Sequence, residues 1–173
     1  KNKTAQASRL PYLSQDTPMR TGSQVSFDKP VILDFRFQWN FQPTGHVVGH
    51  DSENIPIKSE NDRPATAPRV GGDIQIASFN VLNYFTDLGK DEAGCKSYDD
   101  REGNPVGSNY CTVRGAYSEK AFENQQAKIV SAINGLDAEI VALMEMETSS
   151  RFGHSRDYSL SKLVEALNAG IAN

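Results

Sequence analysis

Two short apolar runs on either side of a helix pattern constrain the fold of this chain more than any other feature. The first run extends from Asp73 to Phe85, follows a pair of glycines and has no clean polar face. Such a run is typical of a strand buried on both faces of a sheet. The second run, Ala138 to Glu147, is also apolar and ends in two carboxylates, Glu145 and Glu147. The chain therefore contains two candidate buried strands.

The segment between these runs has the pattern of an amphipathic helix. Ser118 is a candidate N-cap, Glu119 suits the first turn, and Gly135 is a plausible stop. Apolar residues fall near helical spacing at Phe122, Ile129, Val130, Ile133 and Leu136. Strand, helix and strand with a long connection predict a βαβ unit, in which a right-handed crossover joins parallel strands.

Asn80 interrupts the first apolar run near its far end. A buried amide without partners costs about 1–3 kcal/mol, so Asn80 either bonds neighbouring loop backbone or points at a ligand. Parallel strands bring Asn80 and Glu145 to one edge of the sheet, where open α/β sheets bind ligands. A carboxylate and an amide oxygen at one edge suit a hard cation such as Mg²⁺.

Several motifs together resemble a known superfamily. They are Ala77-Ser78-Phe79-Asn80-Val81-Leu82-Asn83-Tyr84-Phe85, Arg114-Gly115-Ala116, Phe122-Glu123-Asn124-Gln125, Lys128-Ile129-Val130 and Leu143-Met144-Glu145-Met146-Glu147. This combination resembles the secreted bacterial nucleases of the endonuclease/exonuclease/phosphatase superfamily, which includes DNase I-like enzymes. The resemblance covers Gly71 to about Gly170 and extends more weakly to Val31–Thr44.

The resemblance implies an α/β (α+β) fold, namely the first half of a DNase I-like four-layer α/β sandwich preceded by a small antiparallel β segment. It also implies metal-dependent hydrolysis of phosphodiester bonds in DNA or RNA, with Mg²⁺ as cofactor and Mn²⁺ or Ca²⁺ as substitutes. Glu145 matches the metal-binding glutamate of the family, and Asn80 matches the asparagine beside metal and phosphate. Alternative activities are a phosphoesterase of the same superfamily acting on a lipid or inositol phosphate, and a non-catalytic secreted binding module.

Three further residues are candidates for supporting roles at this site. Glu147 is a candidate to orient the site, because residues two apart on a strand share a face and both carboxylates would then point at the edge. Asn83 and Arg114 are candidates to contact a phosphate. For Arg114, a salt bridge to an acid of the preceding loop is the alternative.

The family also carries later motifs, a catalytic histidine with an acidic partner and an Asp-x-Asn pair, which do not occur before Asn173. His154 comes too early to match that histidine and is interpreted as a surface residue. We therefore expect an N-terminal part of a longer enzyme, inactive by itself, whose partners are the missing C-terminal half of the domain and nucleic acid. A start at Lys1 without Met indicates a processed or recombinant segment.

Composition gives weaker constraints. The net charge of −4 lacks the excess of positive charge that is typical of nucleic-acid binders. Metal ions that bridge enzyme and phosphate would offset the repulsion between them. No apolar run approaches the roughly 20 residues of a membrane span, so no membrane partner is expected. The resemblance implies a secreted protein, extracellular or periplasmic.

The sequence divides into a small β-rich segment at 1–44, a linker at 45–72 and the truncated catalytic domain at 73–173. Alternation in the first segment predicts two or three antiparallel strands, with their aromatic residues packed in a core rather than forming a base-stacking platform. His46, His50 and Asp51 have the spacing of a metal site on a helix, but a solvated loop is favoured here. A last helix opens at Ser159 or Ser161 and ends near Gly170, with Leu160, Leu163, Val164 and Leu167 inward.

The long loop from Thr86 to Val113 contains both cysteines, Cys95 and Cys111. Two cysteines in one polar loop predict a disulfide that stabilises the chain by about 3 kcal/mol and indicates an oxidising compartment. Two free thiols or half of a metal site are the alternatives. The loop is also acidic, and the segment 99–104 resembles a calcium-binding loop only loosely, so a solvated acidic surface is preferred.

Overall fold

The computed structural model describes residues 11–13, 19–47 and 52–171. The chain separates into two compact units, residues 1–65 and residues 66–173. Among the described residues, both contain small β-sheets, and two α-helices lie in the second. The chain is therefore a mixed α/β protein, and the coarse α+β prediction is confirmed.

Four short strands form the first unit: β1 (Val25–Phe27), β2 (Val31–Phe35), β3 (Trp39–Pro43) and β4 (Ile57–Ser59). β2 and β3 make an antiparallel hairpin, and β1 pairs with β4 antiparallel. The antiparallel strands expected from the alternating pattern are confirmed. β4 lies inside the range that the sequence interpretation assigned to a linker.

The aromatic residues of the β2–β3 hairpin are exposed within this unit. Phe35 and Trp39 retain 60% and 68% of their accessible surface, and Phe37 is fully exposed. The prediction that they pack in a core is therefore wrong here, because none of the strands described in this unit packs over that face. Phe41 does contact Phe27, with 4.8 Å between ring centroids.

A cavity of about 650 Å³ in the first unit is lined by Phe27, Trp39, Phe41 and His46 among others. Of the three residues with metal-site spacing, only His46 can be placed. His50 and Asp51 lie outside the described residues.

The second unit contains β5 (Ile76–Tyr84), β6 (Lys96–Asp99), β7 (Pro105–Asn109), α1 (Glu119–Leu136), β8 (Ile140–Met146) and α2 (Tyr158–Ile171). β5 and β8 pair in parallel, from Ile76 opposite Ile140 to Asn80 opposite Met144. This confirms the predicted strand–helix–strand unit. β6 and β7 form a separate antiparallel hairpin within the long loop.

The two helices cover one face of the β5–β8 sheet. The core consists of Val81, Tyr84, Ile129, Ile133 and Leu163, all buried, with partly buried neighbours around them. The opposite face of the sheet is exposed: Ile76 retains 72% of its surface and Ile140 53%. The prediction of strands buried on both faces is therefore wrong for this structure, since only one face has helices packed against it.

Helix boundaries follow the capping residues. Ser118 Oγ accepts the Ala121 backbone N–H at 3.4 Å, which confirms the predicted N-cap of α1. The helix continues through Gly135 to Leu136, one residue past the predicted stop, and Asp137, whose φ of 50° is left-handed, is its C-cap.

The second helix, α2, begins at Tyr158 and not at either predicted serine. Leu163 is buried and Leu167 packs partly against the core, as predicted. Leu160 and Val164 are exposed, so their predicted inward orientation is wrong.

A disulfide joins Cys95 to Cys111 across the β6–β7 hairpin, with 4.9 Å between Cα atoms, and the prediction of this bond is confirmed. Asp100 closes the hairpin turn, where its carboxylate accepts the backbone N–H of Glu102 and of Asn104. Of the helices in the described part of the chain, none is long and apolar enough to cross a lipid bilayer.

Candidate metal site at the carboxyl ends of β5 and β8

A bulge in β5 shapes the candidate site. The pairing register of β5 and β8 shifts between Asn80 and Tyr84. Leu82 and Asn83 within the bulge have φ angles of 52° and 56°. A left-handed backbone is uncommon for a residue with a side chain, and it is especially unfavourable for leucine. Such strained residues persist only where surrounding contacts hold them, and they concentrate at functional sites.

Two residues outside β5 hold this bulge. Gln125 on α1 points its Nε2 at three consecutive backbone carbonyls of the bulge, and the shortest distance is 2.8 Å to Leu82 O. Gly115 packs so closely that a Cβ there would lie 2.7 Å from Asn83 O and 2.9 Å from Phe85 Cβ. Only glycine fits at position 115 without displacing the strand.

Asn80 links the bulge to β8. Its Oδ1 accepts the Leu82 backbone N–H at 2.7 Å, and its Nδ2 donates to Glu145 Oε1 at 2.8 Å. The reverse orientation of the amide would place its NH₂ group against the Leu82 N–H and its oxygen against a carboxylate, so the two contacts fix the side chain. Asn80 therefore bonds both the local backbone and the neighbouring carboxylate.

Glu145 is exposed at the end of β8 and has a φ of 64°. This left-handed residue breaks the two-residue alternation of the strand. As a result, Glu145 faces solvent whereas Glu147, two residues later, retains only 5% of its surface. The prediction that the two carboxylates share a face is therefore wrong.

Glu147 accepts hydrogen bonds from the segment that follows β5. Its Oε2 accepts the backbone N–H of Thr86 at 2.8 Å and of Asp87 at 3.1 Å. Its Oε1 accepts the Ser149 hydroxyl at 2.7 Å, and Ser149 Oγ in turn accepts the Ser159 backbone N–H at 3.1 Å. Glu147 thereby ties the end of β5 to the start of α2.

The donor set at Glu145 fits a hard cation. One carboxylate oxygen accepts the Asn80 amide, and within the described ranges no hydrogen-bond or ion-pair partner reaches the other, Oε2. The described residues contain no cluster of three or more His, Cys, Asp or Glu side chains that could hold a metal. Mg²⁺ does not require one, since it commonly binds one or two carboxylates together with waters and substrate phosphates.

Beside Glu147 lies a second acidic group, Asp87. Burial, and next the charge of Glu147, raise the pKa of the Asp87 carboxyl, whereas His154 lowers it in part. His154 Nε2 lies 3.1 Å from Asp87 Oδ2, although this buried oxygen accepts no well-aligned hydrogen bond from the described residues. The His154 ring also stacks on Tyr158 at 4.4 Å between centroids. His154 is thus partly exposed, and it lies against both Asp87 and Tyr158.

The remaining candidates lie near the bulge. Arg114 is exposed and forms no ion pair with any residue that the structure describes, so the alternative of a salt bridge to the acidic loop is not observed. Asn83 and Arg114 line the same surface groove. Sequence reasoning assigned no role to Gln125 or Gly115, although both belong to the motifs quoted for the superfamily resemblance.

Comparison of the chain with protein-family models, curated proteins and solved structures found no match.

Proposed function

We propose that this chain is part of a secreted, metal-dependent hydrolase of the endonuclease/exonuclease/phosphatase superfamily that cleaves phosphodiester bonds of DNA or RNA. The observation that carries the proposal is the 2.8 Å contact between Asn80 and Glu145 at the carboxyl ends of two parallel strands. Strained backbone at Leu82, Asn83 and Glu145 surrounds this contact. An exposed carboxylate held in one orientation by strained, well-supported backbone is a feature of binding sites and gives strands no stability by itself.

Each residue of the site has a distinct role in this proposal. Glu145 holds Mg²⁺, with Mn²⁺ or Ca²⁺ as substitutes, through the oxygen that Asn80 leaves free. Asn80 fixes the carboxylate orientation and keeps one oxygen lone pair beyond its bond to Leu82 N–H. When bound, Mg²⁺ would polarise a phosphoryl oxygen and favour attack of water on phosphorus. Glu147 is a positioning residue, because its oxygens already accept bonds from Thr86, Asp87 and Ser149.

The exposed face of the β5–β8 sheet supports the wider DNase I-like arrangement. Ile76, Ile140 and Met144 present apolar side chains on the face opposite the helices. Exposed apolar side chains on one sheet face are consistent with a further layer that packs there in the longer protein. In the proposed four-layer sandwich, the remaining half of the domain covers this face and supplies the later catalytic motifs.

Metal binding by the chain itself tests the proposal. We expect Mn²⁺ titration, followed by the loss of the free-ion paramagnetic resonance signal, to detect one site that Glu145→Gln removes. Glu139→Gln is the matched control, since Glu139 lies just before β8 at the opposite end and bonds the Gln75 backbone. Equal Mn²⁺ binding by wild type and Glu145→Gln would overturn the metal site and favour the binding-module alternative.

Hydrolysis is tested in the longest natural polypeptide that contains this sequence. We expect Mg²⁺-dependent cleavage of plasmid DNA or RNA, lost in Glu145→Gln and retained in Glu139→Gln. Cleavage of inositol or lipid phosphates with nucleic acids left intact would instead assign the chain to another phosphoesterase of the superfamily.

A further inference from the structure

A surface groove of about 790 Å³ runs beside the β5 bulge. Its charged lining consists of Arg114, Lys120, Lys128 and Asp100, and its amides include Asn83 and Asn124. We call it the basic groove. Three cations and one anion give it a net charge of +2, in a chain whose net charge is −4.

The cations of the basic groove are largely free. Among the described residues, Arg114 and Lys128 have no ion-pair partner, and Lys120 lies 3.5 Å from Glu123 on the exposed helix surface. The single anion, Asp100, is occupied by its own turn, because it accepts two hydrogen bonds from Asn104 and one from the Glu102 backbone. The positive charge is therefore available to a ligand.

The spacing along α1 indicates the kind of ligand. Lys120, Asn124 and Lys128 follow one another at intervals of four residues and therefore lie on one face of the helix. The two lysines are about 12 Å apart along the helix axis at 1.5 Å per residue. A chain of phosphates can contact each lysine in turn along this face of the helix.

The basic groove adjoins the β5 bulge, which contacts the candidate metal site through Asn80. Asn83 lines the groove and belongs to the same bulge whose Leu82 N–H bonds Asn80. Gln125, which also lines the groove, holds the carbonyls of that bulge. A polymer that lies in the groove therefore passes next to the bulge that orients Asn80 and Glu145.

We propose that the basic groove binds the phosphate backbone of the nucleic-acid substrate and leads one strand to the Glu145 edge. This rests on the proposed function for the substrate class, but binding does not require hydrolysis. Lys120 and Lys128 neutralise successive phosphates, Arg114 contacts a phosphate close to the bulge, and Asn83 and Asn124 donate amide hydrogen bonds between them. Such contacts to the backbone give affinity without base preference.

Fluorescence anisotropy of a labelled single-stranded 16-nucleotide DNA, measured in EDTA to stop hydrolysis, tests the proposal. We expect the double variant Lys120→Gln/Lys128→Gln to bind roughly tenfold more weakly at low salt, and the slope of log K against log[NaCl] to fall by about 1.4. A methylphosphonate strand of the same sequence, which carries no backbone charge, should not bind.

The matched control is Lys96→Gln/Lys162→Gln, which removes the same charge outside the groove lining. We expect it to bind as wild type does. Equal loss in both double variants, undiminished binding by the groove variant, or no binding by wild type would each overturn the proposal.

This measurement separates the two proposals. DNA binding that depends on the groove lysines, together with Mn²⁺ binding that is insensitive to Glu145→Gln, would leave the groove intact and remove the metal site. Mn²⁺ binding that depends on Glu145, with DNA affinity unchanged in the groove variant, would support the metal site and remove the basic-groove proposal.

Discussion

Two polar regions lie almost side by side at the ends of β5 and β8, and they use their carboxylates in opposite ways. The exposed edge, Asn80 and Glu145, leaves one carboxylate oxygen without a partner among the described residues. In the buried polar layer, Glu147, Ser149 and Ser159, both oxygens of the carboxylate accept hydrogen bonds. The comparison shows that Glu147 uses both carboxylate oxygens inside the fold, whereas Glu145 leaves one oxygen available for the proposed cation.

Removal of the buried carboxylate of Glu147 should have the largest effect on stability. We expect Glu147→Ala to lower the free energy of unfolding by on the order of 4 kcal/mol, since two backbone N–H groups and one hydroxyl each lose an acceptor. Urea denaturation measures the change. Glu145→Ala, the exposed counterpart, should alter stability by less than about 0.5 kcal/mol. Similar losses in the two variants would show that both carboxylates are structural.

Removal of the disulfide tests whether the loop after β5 supports the buried polar layer alone or the exposed edge as well. The disulfide lies within the long loop that begins at Thr86, and the backbone N–H groups of Thr86 and Asp87 donate to Glu147. We expect Cys95→Ser/Cys111→Ser to lower stability by about 3 kcal/mol, because the unfolded chain regains the entropy of an open loop. Mn²⁺ affinity should stay unchanged while the protein is folded. If the variant loses Mn²⁺ binding while circular dichroism shows unchanged helicity, the loop also supports the exposed edge.

Gly115→Ala tests the support of the exposed edge. We expect a loss of about 2 kcal/mol in stability and weaker Mn²⁺ binding, because the new Cβ would collide with Asn83 O and displace the bulge. Gly135→Ala is the control: no atom lies within 4 Å of its added Cβ, and alanine in place of helical glycine should stabilise by about 0.5–1 kcal/mol. If Gly115→Ala leaves the metal affinity unchanged, the bulge does not support the metal site.

The smallest effect should come from Asp87, at the margin of the buried layer. Its pKa is raised above the usual 3.8, mainly by burial, so ionisation of this carboxyl opposes folding. That cost is absent below about pH 3.8, grows as pH rises through the raised pKa and is complete above it. We expect Asp87→Asn to be more stable than wild type at pH 7 and equally stable at pH 3, where the wild-type carboxyl is protonated in both states.

Unfolding midpoints measured across this pH range test the Asp87 prediction. The exposed substitution Asp73→Asn is the control for the removal of one carboxylate at the surface. A gain for Asp87→Asn that persists at pH 3 would point to packing and not to ionisation.

Much of this region could be predicted from local patterns. The two apolar runs and the capped helix between them indicate a parallel pair, and a parallel pair places Asn80 and Glu145 at one edge. The disulfide followed from two cysteines in one polar loop. The opposite exposures of Glu145 and Glu147 could not be predicted, because alternation assumes extended backbone and Glu145 is left-handed. The pairing of His154 with Asp87 also had no local signal, since the loop after β5 meets the start of α2 only in the folded chain.

The sequence by itself determined the order β5, α1, β8, the shared edge and the covalent loop, because periodicity, caps and cysteine count act over short distances. It did not predict the β6–β7 hairpin within that loop. Only the tertiary structure decided which carboxylate is free and which is buried. That choice depends on the β5 bulge, which Gln125 and Gly115 hold from distant parts of the chain, and on hydrogen bonds that form only when β8 meets the segment after β5.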